Sequence, residues 1–457
     1  MRRCVIFRRN KDTDMTDGSI FRHILQFAIP MAIGLLFQQL YNAVDSVVVG
    51  QYVGKQALAA VGSTGNIINM LVGLCNGLSV GAGVIISQRF GAKDYDNLRE
   101  AVHTTLSVTL ILGMITATVG MLIVDPMLRM METPDDVFDQ AKTYLTIYFA
   151  GISGLLLYNM GAGILRAVGD SRRPLYFLAL SAGLNIIGDL VFVLAFQMGV
   201  AGVALATILS QFCSAALVLY VLTHTKEPYG VRWNQLKVRW DMLSKILAVG
   251  MPSGIQQAVT SFSNVFVQSY INAFESACMA GWTSYNKLDA FLLIPVMSIS
   301  MASTTFVGQN YGANKLDRAK EGVRESLKLS VMITSALVVL MIICKRPLLR
   351  LISPEADVIE FGAYFVTVIS PFYIMICFNQ IYAGALRGVG NANAPMVIML
   401  GCFVLFRQAY LYITKYYFGQ SLLLTALAYP AGWILCSLLL TICYRRSKLF
   451  KSQEIPV

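Results

Sequence analysis

QQLYNAVDSVVVG, residues 38–50, is the stretch on which the reading of this chain turns. Gln38, Asn42 and Asp45 stand at i, i+4 and i+7, so on a helix they share one face. The run around them, from about residue 24 to residue 50, is otherwise apolar and long enough to cross a bilayer. A carboxylate in such a helix is costly unless it meets water, an ion or a polar partner. Asp45 is therefore either a functional group or a polar tie between two helices.

The remainder of the chain has the same character. Of its 457 residues 56% are hydrophobic and only 13% charged, with a mean hydropathy of +0.62. A soluble globule carries about 25% charged residues, so that class is excluded. The apolar residues fall in twelve runs, near 24–48, 57–86, 99–124, 138–165, 173–197, 200–222, 243–272, 279–306, 322–345, 357–385, 394–417 and 421–444. These predict an all-α membrane protein of twelve transmembrane helices.

A net charge of +11 invites a nucleic-acid reading, but the distribution of the charge argues against it. With a cytoplasmic N-terminus and alternating spans, 27 of the 36 Lys and Arg fall on the inner side and 8 on the outer, with Arg407 inside a span. That bias orients a multi-pass protein in the cell membrane with both termini cytoplasmic. The nine Cys lie mostly within apolar runs and form no CxxC pair, so they read as small buried hydrophobes. The three His show no ligand spacing, and no metal centre or cofactor is expected. Residues 1–20 are polar and basic without an apolar core, so no cleaved leader is expected and the first span serves as its own insertion signal.

The chain also matches itself. ILQFAIP at 24–30 aligns with ILAVGMP at 246–252, an offset of 222. QRFGAKDYDNLREAV at 88–102 aligns with QNYGANKLDRAKEGV at 309–323, and LRAVGDSRRP at 165–174 with LRGVGNANAP at 386–395, both at an offset of 221. Two homologous halves of six spans follow, and an even number of spans makes them parallel repeats. The expected divisions are a tail over 1–20, an N-lobe over 21–222, a cytoplasmic linker over 223–243, a C-lobe over 244–445 and a tail over 446–457. Gly91 and Gly312 are expected to make sharp turns at the inner surface, and Gly169 and Gly390 to end their helices ahead of Pro174 and Pro395. No GxxxxGK[ST] occurs, so transport would draw on an ion gradient.

The polar groups inside the spans are unevenly shared. LNIIGDLVFV sets Asn185 and Asp189 at i and i+4, and VALATILSQ offers Thr207. With Asp45 these supply two carboxylates, an amide oxygen and a hydroxyl, hard oxygen donors suited to a small cation such as Na⁺. Two adjacent carboxylates also resist ionising together, which suits one of them to carrying H⁺. The matching positions of the second half are Val267, Phe406 and Tyr410, so the acids belong to the first half alone. The seventh span carries Gln257, Thr260, Ser261, Asn264 and Gln268. Asp289 and Arg407 are the remaining intramembrane charges, there either as a buried pair or as lining of the second half's cavity.

In these motifs, FAIPMAIGLLFQQLYNAVDSVVVG, QRFGA and QNYGA, LRAVGDSRRP and LRGVGNANAP, the chain from about residue 20 to 445 resembles the multidrug and toxic compound extrusion family. It is similar to the prokaryotic branch related to the DNA-damage-inducible protein F. The resemblance implies two six-helix lobes, a cation-coupling set of Asp45, Asn185, Asp189 and Thr207, and drug contact at Gln38. It also implies efflux of organic, often cationic or amphipathic compounds in exchange for inward H⁺ or Na⁺, by alternating access. The second-lobe Glu of the other branch is missing, since that neighbourhood reads Thr260 to Phe262. A substrate space is expected to be lined by Gln38, Tyr41, Asn42, Tyr144, Gln257, Asn264, Asp289 and Arg407. The expected partners are small organic substrates and membrane lipids, with no nucleic acid, and the two-lobe pseudo-symmetry suggests a monomer.

Three rivals bear weighing. A lipid-linked oligosaccharide flippase wants a strongly basic cavity, and Arg407 is the one clearly intramembrane Arg. An ion channel wants selectivity elements repeated around an axis, whereas the acids occur in one half only. A membrane enzyme wants a nucleophile–base or metal constellation, and none is visible.

Overall fold

The computed structural model describes residues 14–419 and 421–450. Among these the regular secondary structure is all helix, joined by turns and loops, and no strand forms. Eleven helices among the described residues are long and apolar enough to cross a membrane. The expected twelfth is α7 (Trp240–Ile271), whose 32 residues give about 48 Å of helix. Its length is ample, but Gln256, Gln257, Thr260, Ser261, Ser263, Asn264 and Gln268 dilute its apolar content.

The first repeat comprises α1 (Ile20–Val48), α2 (Lys55–Gly91), α3 (Tyr95–Met130), α4 (Asp135–Ala167), α5 (Arg172–Leu190) and α6 (Gly199–His224). The second runs from α7 through α8 (Ser276–Gly312), α9 (Leu316–Ile343), a short α10 (Lys345–Arg350), α11 (Ala356–Ile369), α12 (Tyr373–Gly388), α13 (Asn393–Leu400), α14 (Arg407–Phe418) and α15 (Leu422–Arg445). One turn of 3₁₀ helix, Ser370–Phe372, joins α11 to α12. Pro371, which cannot donate to the helical ladder, accounts for that break. The short α10 has no counterpart in the sequence reading.

The repeat is visible in single bonds. Ser79 Oγ donates to the Asn159 carbonyl at 3.0 Å, and 221 residues on Ser300 Oγ donates to the Gln380 carbonyl at 2.7 Å. Gly169 and Gly390 both take left-handed backbone, at φ 90° and 87°. The turns after α2 and α8 correct the expectation for Gly91 and Gly312. Those glycines are the last helical residues, and the left-handed positions are Lys93 and Asn314, both at φ 57°.

The turn after Gly169 repeats as well. Asp170 Oδ1 accepts from the backbone N–H of Arg172 and of Arg173, each at 3.2 Å, and Asn391 Oδ1 accepts from Ala394 N–H at 3.2 Å. Burial pushes the Asp170 carboxyl above its usual range, against the opposing pull of Arg173. The folded state therefore disfavours the ionised form, and stability falls as pH rises from about 3.9 through the folded value. Asp170→Asn keeps the cap, as Asn391 does, and removes that penalty. Thermal melts should show the variant at least as stable as the parent at neutral pH, with its advantage gone below about pH 3.

The chain forms two compact units, and their boundaries do not fall at the linker. One is Ile33–Met251; the other joins Met15–Ala32 to the chain from Pro252 onward. The divisions lie beside Pro30 and Pro252, the matched prolines inside α1 and α7. In the second unit the leading half of α1 buries Ile24, Phe27, Ala28 and Met31 against Ile299, Phe306, Val323 and Ile381. Its lead-in is tied down by Met15, whose N–H donates to Gln309 Oε1 and whose carbonyl accepts from Asn310 and Arg318. In the first unit Met242 and Ile246 of α7 pack on Ala82, Ile86 and Leu98.

Lipid offers no hydrophobic drive for such packing, so close approach at small residues matters. A Cβ added at Gly81 would lie 2.4 Å from the Ile246 carbonyl oxygen and 2.6 Å from Gly250 N. On α4 the same holds of Gly151 against Ile208 and Gly161 against Val218, at 2.4 and 2.1 Å.

Candidate functional site

α5 places Asn185 and Asp189 one turn apart on its buried face, 2% and 0% exposed. Immediately beyond Asp189 the helix widens into a π-turn, Val191–Ala195, and α1 does the same at Val49–Val53, one turn beyond Asp45. Such turns insert a residue and shift the side chains around them, and they recur at functional sites. Val48, Val49 and Val193 meet Val203 and Ala204 of α6 in one apolar cluster. Asp45, Asp189 and Thr207 thus each stand about one turn from the same packed cluster, in the first unit. Gly188, whose added Cβ would sit 3.0 Å from Ala206 Cβ, lets α5 and α6 approach here.

The Asp45 and Asp189 carboxyls lie within hydrogen-bonding reach of each other, with Tyr144 of α4 beside both. Among the described residues no donor reaches Asp45 Oδ1, either oxygen of Asp189, or the Asn185 amide. Thr207 donates its hydroxyl hydrogen to the Val203 carbonyl at 3.0 Å, which leaves its oxygen free to accept. A buried carboxylate without a donor is expensive, and two facing each other are more so. One proton shared between them, or one small cation among these oxygens, relieves that cost. Of the four residues named from sequence as the coupling set, the structure brings the Asp45 carboxyl of α1 and the Asp189 carboxyl of α5 together, with Asn185 one turn before Asp189 on α5 and Thr207 on the neighbouring α6.

The other named residues divide into two groups. Gln38 is exposed on α1 and hydrogen-bonded to the half-buried Tyr41, while Asn42 is exposed. Tyr144 is buried, stacked on Tyr148 with ring centroids 6.3 Å apart, so it walls the acid pair rather than open space.

In the second unit Gln257, Ser261, Asn264 and Gln268 form a stripe on α7, the first three of them exposed. Behind it lies Arg407, at the end of a third π-turn, Gly401–Phe406. Its Nη2 donates to Ser263 Oγ at 2.8 Å and to Asn264 Oδ1 at 2.9 Å, and its guanidinium covers the Tyr429 ring at 4.7 Å. Asp289 forms no ion pair with Arg407 among the described residues. Instead Tyr429 neighbours both charges. Ser263 and Tyr429 escaped the sequence reading. Ser263 adjoins Asn264, but nothing in the sequence of α15 marks Tyr429 as an arginine partner.

Comparison with known proteins fits this architecture. The MatE family model matches twice, over residues 30–191 and 252–413, an offset of 222 that restates the internal repeat. The chain is 27% identical over 430 residues to the Bacillus subtilis protein named "Probable multidrug resistance protein YoeA", covering 92% of this chain and 93% of that one. It is 23% identical to the "FAD transporter" of Shewanella oneidensis, covering 90% and 92%. The "Multidrug export protein MepA" of Staphylococcus aureus is 21% identical, with coverage of 84% and 86%. Among solved structures, an outward-facing multidrug resistance MATE family transporter superposes with a TM-score of 0.91 at 24% identity, covering 97% of this chain and all of that one. The two family matches span well over half of the residues, and they agree with the two helical repeats: the chain belongs to the MatE family of membrane transporters.

Proposed function

We propose that the protein exports organic, often cationic or amphipathic compounds across the cell membrane in exchange for inward H⁺ or Na⁺. The observation that carries this reading is the Asp45–Asp189 pair of the first unit, two facing carboxyls with Asp189 fully buried, Asp45 half-buried, and no donor at Asp45 Oδ1 or at either Asp189 oxygen. In its empty state the pair holds unrelieved negative charge, and a proton or Na⁺ neutralises it. Neutralisation changes the packing of α1 beside its π-turn, on the helix that also carries Gln38 and Asn42. An ion that binds two conformations with different affinity shifts the balance between them, which is what alternating access requires. Both termini are placed in the cytoplasm by the positive-inside bias, and the working unit is a monomer.

Relatives named for multidrug resistance and multidrug export support export of drug-like compounds, and another is named as an FAD transporter. The paired acids occur in one unit only, their counterparts in the second half being Val267 and Tyr410, which disfavours a channel with repeated selectivity elements. The test is ethidium efflux from vesicles reconstituted with purified protein, under an imposed pH gradient or an imposed Na⁺ gradient, with membrane conductance recorded in parallel. Efflux driven by either gradient, without a matching rise in conductance, is the expected result, and the effective gradient names the ion. Conductance without gradient-driven efflux contradicts it.

A further inference from the structure

We propose that Arg407 is the receptor for an anionic group, a carboxylate or a phosphate, on the transported compound. This rests on the transport reading and narrows its substrate class. Arg407 is 3% exposed, and its partners are all neutral: the Ser263 hydroxyl, the Asn264 amide oxygen and the face of Tyr429. Among the described residues it makes no ion pair, and its Nε–H donates to nothing. A guanidinium stays charged in proteins. Burying one without a counter-charge is costly, so an intramembrane arginine of this kind marks a functional position. The repeat does not demand it either, because the matching residue of the first half is Ile186.

The shape of the guanidinium sets how an anion would be held. Nε and Nη2 form one edge of the guanidinium, the edge that grips a carboxylate side-on through two parallel bonds. Nη2 is held by Asn264 and Ser263, and Nε is vacant. Asn264 itself stands on the exposed stripe of α7 with Gln257 and Ser261. An anion arriving along that stripe displaces the Asn264 oxygen from Nη2 and places its second oxygen on Nε. Tyr429 keeps the guanidinium plane fixed while this happens. Asp289, which also neighbours that tyrosine, makes no ion pair with the fork among the described residues.

The test is equilibrium binding to the purified protein in detergent, read by fluorescence anisotropy with carboxyfluorescein as anionic probe and ethidium as cationic control. Wild type, Arg407→Gln and Arg407→Lys are compared. Wild type should bind both dyes. Arg407→Gln should weaken carboxyfluorescein about tenfold or more, with ethidium within about twofold. Arg407→Lys should fall between, because a point charge replaces a fork. Absence of carboxyfluorescein binding to wild type, or equal binding by Arg407→Gln, overturns the proposal. Should Arg407→Gln lose both dyes, the lysine variant decides: ethidium retained with carboxyfluorescein weakened supports the anion site, and equal loss of both overturns it. Gradient-driven efflux is scored separately. Its absence with anion binding intact overturns the transport reading and leaves the anion site standing.

Discussion

Replacing Asp189 with Asn should bring gradient-driven dye efflux down to the rate of empty vesicles, and Asp45→Asn should do the same. The amide has the shape of the carboxyl and still offers an acceptor, but it neither takes up a proton nor neutralises a cation. What disappears is the difference in ion affinity between two conformations, and with it the coupling. Coupling free energies run at about 1–3 kcal/mol, or roughly 5–150-fold, so efflux should fall by up to two orders of magnitude. The double variant should be no worse than either single one, since the two carboxyls act as a unit. Thermal stability should hold or rise, because each change removes a buried charge that lacks a donor. A variant that pumps at the parental rate while folding normally reduces the pair to a tie between α1 and α5.

Gly81→Ala is the second large effect expected. The added methyl meets backbone, the Ile246 carbonyl oxygen at 2.4 Å and Gly250 N and Cα at 2.6 and 2.7 Å, rather than the yielding end of a side chain. Neither helix can retreat cheaply, because the leading half of α7 is packed along the first unit through Met242 and Ile246. Overpacking of this kind costs about 1–3 kcal/mol or more. The control sits on the same helix: an added Cβ at Gly65 meets nothing within 4 Å, so Gly65→Ala should be neutral or gain about 0.5–1 kcal/mol from lost backbone freedom. Thermal unfolding in detergent of both variants separates steric clash from simple loss of a glycine. Equal melting of Gly81→Ala and parent contradicts the packing described for α7.

The sequence reading succeeded where the information is periodic or repeated. Asn185 and Asp189 share a face because helix geometry dictates it, and Gly169 and Gly390 sit in equivalent turns because the repeat does. It failed where the outcome depends on contacts between distant segments. Nothing local tells that the chain before Pro30 packs with the second unit and the chain before Pro252 with the first. On the α7 side that exchange involves close backbone approach at Gly81 and Gly250, which a sequence does not display. The three π-turns are equally hidden, since one inserted residue leaves no compositional trace, yet each adjoins an intramembrane charge, Asp45, Asp189 or Arg407. The turn glycines misled for a related reason. Gly91 and Gly312 looked like the strained positions, while the left-handed backbone falls on Lys93 and Asn314 two residues later. The prospect of an Asp289–Arg407 pair rested on their being the two remaining charges within the spans, and the structure sets Tyr429 beside both instead.

The central claim is that ion occupancy of the Asp45–Asp189 pair and substrate binding are thermodynamically linked. The direct measurement is ethidium affinity of the purified protein as a function of pH and, separately, of Na⁺ concentration, for wild type and Asp189→Asn. The account predicts that one of the two ions weakens ethidium binding to wild type by roughly 5–150-fold, and that the variant's affinity stays flat across the same range. An ion dependence of equal size in wild type and Asp189→Asn would contradict it, and would move the coupling site away from this pair.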